Sequence, residues 1–217
     1  LAIFAAIATA GILIFVPESL PLEKRHPGGL STTLTNASRI LRTRSYLTYA
    51  VVIWFGFGMM FAYISSSSFI VQDTLGWSPS DYASVFGFNG VGIIVTSFLS
   101  SRLVKKMAPR RILLVGVSMQ AIGALMLIGI SLTGWVSPLT VLPALFVVAT
   151  SIGFVFGPAT ALAMIEVRFA SGTALALMGS LQFLAAAISA ILVGIVSSSA
   201  LVSFTVVATV AAGLVVA

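Results

Sequence analysis

Seven long apolar stretches, separated by short polar connections, constrain the fold of this chain more than any other feature. They cover residues 1–16, 46–68, 81–101, 112–132, 139–162, 172–194 and 200–217. About 20 apolar residues suffice for a helix to cross the hydrocarbon core of a bilayer. Inside hydrocarbon every backbone polar group must be bonded within the protein, which leaves helices or closed barrels. Barrel strands would alternate in polarity, so these continuous stretches predict an all-α membrane protein.

The small number of charged residues supports the same prediction. Only 7% of the 217 residues are charged and 59% are hydrophobic, whereas a soluble domain carries roughly 25% charged residues. So few charges cannot coat a surface for water, and we expect a lipid bilayer to contact most of the chain. The sequence has no cysteine, which excludes disulfides and thiolate chemistry.

The first apolar stretch is shorter than the others. Residues 1–16 would form a helix of about 24 Å, which is less than the ~30 Å of a bilayer core. Pro17 would end that helix, because proline cannot continue its hydrogen bonds. We therefore expect 1–16 to be the end of a cut helix. We interpret the polar segment 17–45 as a linker, and a short interfacial helix is predicted over Ser31–Arg44.

The basic residues are confined to alternate connections. They are Lys24, Arg25, Arg39, Arg42, Arg44, Arg102, Lys105, Lys106, Arg110, Arg111 and Arg168. The connections 69–80, 133–138 and 195–199 contain none. By the positive-inside rule, this sorting predicts that 17–45, 102–111 and 163–171 are cytoplasmic. Because the net charge of +6 comes from these loops, without a basic patch interleaved with aromatic residues, we expect no nucleic acid partner.

Polar and aromatic residues within the spans are the candidates for a substrate cavity. They are Tyr63, Ser66, Ser67, Phe86, Asn89, Phe154 and Gln182. An amide is costly to leave unpaired in hydrocarbon, so Asn89 and Gln182 must each face a wet cavity or bond to another helix. Both alternatives stay open, and a serine has a further choice, because it can bond to its own helix backbone.

Small residues within the spans predict close contacts between helices. Gly153 and Gly157 form a G-x-x-x-G pair, and Pro158 follows directly and is expected to kink that helix. Gly172 and Gly179 are seven residues apart and therefore share a helix face, and the same holds for Gly116 and Gly123. We interpret all of these positions as packing or gating residues.

Ionisable and nucleophilic chemistry is sparse. No full span has a charged residue near its centre, although buried charges usually mark ion paths. Asp81 follows Ser78 and Pro79, where a helix cap is the better interpretation. The one histidine, His26, lies in a predicted loop, and hydrolase, nucleotide and zinc motifs are missing. The sequence therefore predicts no enzyme, no metal site and no cofactor.

Four stretches resemble one family of transporters. They are VPESL from Val16, FAYISSSSFIVQ from Phe61, GFVFGPATAL from Gly153 and ASGTALALMGSLQF from Ala170. Together they resemble the C-terminal half of a major facilitator superfamily transporter, most closely the Bcr/CflA-type multidrug efflux subfamily. The chain departs from that pattern at Ser68 and Ala159, where a proline and an asparagine are expected. The 102–111 loop also lacks the usual glycine and acid.

The resemblance implies a twelve-helix fold of two six-helix halves. This chain would contribute the end of helix six (1–16), the central linker (17–45) and the C-terminal six-helix domain (46–217). Its helices seven, eight, ten and eleven would line a cavity with Tyr63, Phe86, Asn89, Phe154 and Gln182. The implied partners are a small-molecule substrate, protons as the coupling ion and the missing N-terminal half.

The implied function is export of drugs or small amphipathic compounds in exchange for protons, by alternating access. Two other functions stay open. One is export of a metabolite such as an amino acid or a sugar, and the other is a membrane protein that does not transport. Acids deep in the cavity would favour cationic drugs and basic residues would favour anions, and these spans supply neither.

Overall fold

A computed structural model of the chain describes residues 2–15 and 29–196, together with Val202, Phe204, Thr205 and Ala208. The described residues are helical, with short turns between the helices. The helices are α1 (Ala2–Phe15), α2 (Leu30–Leu41), α3 (Arg44–Phe69), α4 (Pro79–Leu103), α5 (Pro109–Thr133), α6 (Pro138–Ala163) and α7 (Ser171–Val196). A π-helical turn, Ile70–Thr74, extends α3, and a 3-10 turn, Arg168–Ala170, precedes α7.

The chain divides into two compact units. The first unit runs to Thr35 and includes α1 and the first part of α2, and the second begins at Asn36 and includes α3 to α7. The sequence-based limits of 1–16, 17–45 and 46–217 differ from this division and stay predictions. Residues 17–28 of the predicted linker lie outside the described residues, and the predicted helix over Ser31–Arg44 is present as α2.

The predicted membrane spans are confirmed where the structure describes them. The helices α3 to α7 are each long and apolar enough to cross a membrane, and they contain the predicted stretches from 46–68 to 172–194. Each extends beyond its predicted limits by a few residues, because the polar turns at the ends still complete the helical hydrogen bonds. The last predicted span, 200–217, lies outside the described residues except at four positions.

The starts of the spans follow from local chemistry. At α4, Ser78 Oγ accepts a bond from Asp81 N at 3.2 Å, and Asp81 Oδ2 accepts from Ser78 N at 3.1 Å. This capping box satisfies two backbone donors that a helix start leaves free, and Pro79 occupies the first turn, where its missing N–H costs nothing. Asp81 is thus a cap, as its position after Ser78 and Pro79 indicates.

The charges separate the two ends of the second unit. Consecutive spans are joined by short connections, so neighbouring helices run antiparallel. Arg44, the 102–111 connection and Arg168 therefore lie at one end, which we call the basic end. The connections 75–78 and 134–137 lie at the other, and because they contain no Lys or Arg we call it the cation-free end.

Helix α6 is the most buried of the five spans and α4 is the most exposed. The helices α4 and α5 each approach α6 closely at glycine residues. A Cβ on Gly123 of α5 would lie 2.5 Å from Val148 Cγ2, and one on Gly116 would lie 2.7 Å from Val155 Cγ2. Both distances are shorter than real contacts, so only glycine lets the α5 and α6 backbones come this close, as the seven-residue spacing predicts.

The crossing of α4 and α6 uses Gly153. A Cβ there would contact Thr96 Oγ1 and would lie 2.6 Å from Ser97 N. Thr96 Oγ1 also donates to Thr150 O at 2.8 Å. At Gly157, Gly172 and Gly179 a Cβ would meet no atom of the described residues within 4 Å, so this part of the chain shows no close packing there.

The reason is that α4 and α6 meet closely near Gly153, and Gly157 lies one turn further on, outside that contact and exposed. Gly172 and Gly179 lie on α7, away from the α3 contact that Gly58 makes with Ser189 Oγ. A gating role for Gly153, Gly157, Pro158, Gly172 and Gly179 stays a prediction. Pro158 is buried, and α6 continues through it.

Candidate functional site

The first group of predicted site residues meets between α3 and α4. Asn89 Nδ2 donates to Tyr63 Oη at 2.8 Å, and the rings of Tyr63 and Phe86 are parallel to within 3°, with centroids 6.0 Å apart. Tyr82 joins them, because its ring lies 5.7 Å from Phe86 and its hydroxyl lies 3.2 Å from Ser67 Oγ. We call these five residues the polar-aromatic cluster.

Helical spacing explains this arrangement. Tyr63 and Ser67 are four apart on α3, and Tyr82, Phe86 and Asn89 are spaced by four and three on α4, so each set lies on one helix face. Asn89 therefore makes one of the interhelical bonds that its sequence context allows. Tyr82 was missed by the sequence analysis, although its spacing from Phe86 was a usable signal.

Ser66 does not join this cluster. Its Oγ donates to Ala62 O of the same helix at 2.6 Å, and the side chain is fully buried. Bonding of this kind satisfies a serine hydroxyl within hydrocarbon without any partner helix. A substrate contact for Ser66 stays a prediction that the geometry does not favour.

A second group of rings joins α3, α6 and α7. Phe57 lies at its centre, with ring centroids 5.0 Å from Phe61, 5.4 Å from Phe156 and 5.3 Å from Phe183. Phe183 is 59% exposed, so the group presents an open aromatic surface. We call these four residues the phenylalanine cluster. The predicted site did not include this cluster, although the spacing of four between Phe57 and Phe61 is a signal for a shared helix face.

Phe154 and Gln182 are not brought together with the polar-aromatic cluster. Phe154 packs its backbone and Cβ against Gly116 of α5. Because Phe156 is two residues on, it points about 200° away and reaches Phe57 instead. Gln182 is half-buried on α7, next to Phe183 in sequence, and its amide makes no hydrogen bond to another residue of the described part of the chain. The predicted site thus divides between several surfaces.

Two further contacts hold α3 and α7 together near the basic end. Tyr46 Oη donates to Ala174 O at 2.8 Å, and Trp54 Nε1 donates to Met178 O at 3.2 Å. Both acceptors are backbone carbonyls one turn apart on α7. These bonds position the helix that bears Gln182 and Phe183 relative to Phe57.

The electrostatics of the spans are simple. Within residues 44–196 the charged side chains lie near the ends of the spans or in the connections, as at Arg44, Asp73, Asp81 and Arg102. Among the described residues no group of three or more His, Cys, Asp or Glu side chains could hold a metal ion. Binding at either cluster would therefore depend on aromatic surface, hydroxyls and amides.

Comparison with known proteins gives the family. The model of the Major Facilitator Superfamily matches residues 1–190. The chain is 33% identical over 190 residues to the uncharacterised MFS-type transporter YdgK of Bacillus subtilis, covering 87% of this chain and 47% of that protein. The chain belongs to the Major Facilitator Superfamily. As a member of that superfamily, with five described helices long and apolar enough to cross a membrane, it is an integral membrane protein.

A second facilitator relative has a more specific name. The chain is 28% identical over 201 residues to a bicyclomycin resistance protein homologue of Haemophilus influenzae, covering 88% of this chain and 50% of that protein. The chain spans about half the length of the curated relatives that it matches. The described helices are those expected of part of one facilitator half.

Proposed function

We propose that this chain supplies one half of a Bcr/CflA-type exporter, which moves drugs or small amphipathic compounds by alternating access in exchange for protons. The phenylalanine cluster is the observation that carries the proposal. Its rings come from three helices and Phe183 is open to the surroundings. Transporters of this architecture bind substrate near the bilayer midplane, at the boundary between their two halves.

The chemistry of the cluster favours an amphipathic aromatic compound. Aromatic faces attract other rings and organic cations, whereas a sugar or an amino acid needs several polar groups to replace its bonds to water. Beside the four rings, Gln182 offers a single amide. The name of the Haemophilus influenzae relative agrees with a drug as the substrate.

Proton coupling requires a group that the centres of these spans do not offer. Asp73 and Asp81 lie at helix ends, so we assign the proton carrier to the other half of the intact transporter. We also propose that the basic end faces the cytoplasm of a bacterium, with 17–45, 102–111 and 163–171 on that side. On this proposal 1–16, 17–45 and 46–217 are the end of helix six, the linker and the C-terminal domain.

The proposal is tested by resistance measurements on the intact transporter, expressed in a bacterium that lacks its own efflux pumps. Phe183→Ala removes an exposed ring from the phenylalanine cluster, and a ring contact of about 0.5–1.5 kcal/mol predicts a roughly 2- to 10-fold fall in resistance to aromatic drugs. Leu184→Ala is the matched control, because Leu184 is 54% exposed and lies beside the cluster without joining it.

Equal resistance in Phe183→Ala and the parent, at equal expression, would contradict a role of the cluster in drug binding. A parent that confers no resistance to any drug but accelerates loss of a labelled metabolite from the cell would instead favour the metabolite exporter. Drug export by the parent together with an unaltered Phe183→Ala would retain the function and reject the site.

Gln182→Ala is expected to change which drugs are exported, without loss of expression. The amide is half-buried next to Phe183 and its hydrogen-bonding groups are free for a ligand. The measurement is the ratio of resistance values over a panel of drugs with and without hydrogen-bonding groups. A uniform ratio across the panel would remove Gln182 from the site.

A further inference from the structure

A separate cavity lies between α4 and α6 at the cation-free end. Its volume is about 660 Å³, within the range of roughly 300–1,000 Å³ that holds drug-sized ligands. Its lining includes Trp77, Phe88, Asn89, Pro143 and Phe146. We call it the α4–α6 pocket.

The pocket shares no residue with the phenylalanine cluster, and it shares only Asn89 with the polar-aromatic cluster. Phe88 lines it and Phe86 stacks on Tyr63, and residues two apart on a helix point about 200° away from each other. The ring of Phe88 therefore lies on the other side of α4 from the Tyr63–Phe86 stack, and Asn89 lies between the two positions around the helix. Phe88 is 65% exposed, so the described residues leave this side of α4 uncovered.

The shape of the pocket follows from the crossing of the two helices. Glycines bring α4 and α6 together at Gly92 and Gly153, where a Cβ on Gly92 would lie 2.7 Å from Phe146 Cε2. Towards the cation-free end a cavity remains between the two helices, and aromatic side chains line it without filling it. Phe88 and Phe146 line it with their rings tilted by 31° and their centroids 5.2 Å apart.

One buried polar group reaches this apolar cavity. Asn89 is 2% exposed and lines the pocket. Its Nδ2 is committed to Tyr63 Oη, whereas its carbonyl Oδ1 accepts no hydrogen bond from the described residues. Because no fully enclosed side-chain nitrogen or oxygen of the described residues lacks a partner, this unpaired oxygen keeps some accessible surface. A ligand that donates one hydrogen bond from an aromatic body would satisfy it.

We infer that the α4–α6 pocket binds an uncharged aromatic small molecule that carries a hydrogen-bond donor, with Asn89 Oδ1 as its polar contact. Three aromatic side chains supply the stacking surface, and the one free acceptor sets the polarity of the ligand. A lipid acyl chain would fill the apolar volume but would leave Asn89 Oδ1 without a partner. This site goes beyond the proposed export function, because it shares no residue with the phenylalanine cluster.

The test measures quenching of Trp77 by 6-bromo-2-naphthol in the intact transporter, reconstituted in lipid nanodiscs. All other tryptophans are replaced by phenylalanine. Bromine quenches a tryptophan that it contacts, and the hydroxyl can donate to Asn89 Oδ1. The matched control retains Trp135 instead, which is 73% exposed in the other described connection of the cation-free end and outside the pocket lining. We expect saturable quenching of Trp77 and only linear, partition-driven quenching of Trp135.

Variants distinguish binding of the probe in the pocket from its partition into the bilayer. Val85→Phe fills the pocket and should abolish saturation, whereas Val91→Phe, on an exposed part of α4 outside the lining, should leave it intact. 2-Bromonaphthalene, which lacks the hydroxyl, should bind about 2- to 10-fold more weakly, as the loss of one hydrogen bond predicts. Asn89→Leu should remove this difference while 2-bromonaphthalene still saturates, which shows that the pocket remains folded.

Three results would overturn the inference. They are linear quenching of Trp77, equal affinity for the two probes in the parent, and saturation that survives Val85→Phe. Phospholipids with brominated acyl chains provide a further arm. If they quench Trp77 to the same limit and an unbrominated competitor such as phenol does not relieve this, the occupant is a lipid. None of these results bears on Phe183→Ala, so the site and the proposed transport fail separately.

Discussion

Replacing Gly153 by alanine should destabilise the transporter through one contact. In the structure a Cβ at this position would lie 2.6 Å from Ser97 N and 2.8 Å from Thr96 C. These are backbone atoms of α4, so no side chain can turn aside to make room. An ordinary contact needs roughly 3.5 Å or more, which requires α4 and α6 to separate by about 1 Å.

The expected size follows from three terms. Overpacking of a tight contact costs about 1–3 kcal/mol. Separation of the helices also weakens the bond from Thr96 Oγ1 to Thr150 O, and interhelical bonds in membranes contribute about 0.6 kcal/mol on average. Alanine recovers up to about 1 kcal/mol relative to glycine through helix propensity. The net destabilisation is therefore about 1–3 kcal/mol.

The assay is equilibrium unfolding of the intact transporter in mixed micelles, with the fraction of sodium dodecyl sulfate as the denaturant axis. Gly157→Ala is the matched control, because Gly157 lies on the same helix and a Cβ there meets no atom within 4 Å. That variant should be neutral or more stable by up to about 1 kcal/mol. Equal effects of the two substitutions would refute the reasoning, since the contact at Gly153 is the difference between them.

Two further outcomes are expected. Cysteines placed at Arg110 and at Val136 should react with an impermeant maleimide from opposite sides of the membrane, because the two positions lie at the basic and cation-free ends. The cysteine at Arg110 should react from the cytoplasm. The reverse labelling would refute the proposed orientation. Tyr63→Phe should destabilise the protein by about 1–3 kcal/mol, because it leaves Asn89 Nδ2 buried without its acceptor. The same unfolding assay measures this loss. The control is Tyr49→Phe, because the Tyr49 hydroxyl makes no hydrogen bond in the described part of the chain.

The positions of the spans were predictable because hydropathy is a local property. Twenty consecutive apolar residues have few alternatives to a helix in lipid, and capping residues such as Ser78 mark where α4 begins. The alternation of basic connections was equally readable, since it depends on counting residues along the chain. The five described spans match these predictions without any knowledge of how the helices pack.

The candidate site was only partly predictable. Asn89 had two possible partners from its sequence context, a cavity or another helix, and in the structure it bonds to Tyr63 on α3 and also lines the α4–α6 pocket. Phe154 was expected at the site, yet Phe156 is the residue whose ring reaches Phe57. A helix wheel places these two phenylalanines on opposite sides, but which side meets α3 is a matter of tertiary packing.

The sequence by itself therefore determined that the chain crosses a membrane repeatedly as helices, because that outcome depends on the solvation of each segment alone. The tertiary structure decided which glycines are contacts and which side chains share a surface. Gly153 and Gly157 look alike in the G-x-x-x-G pair, and the α4 backbone lies against the first and has moved away by the second. Such contacts depend on the angle at which two helices cross, which a run of apolar residues does not encode.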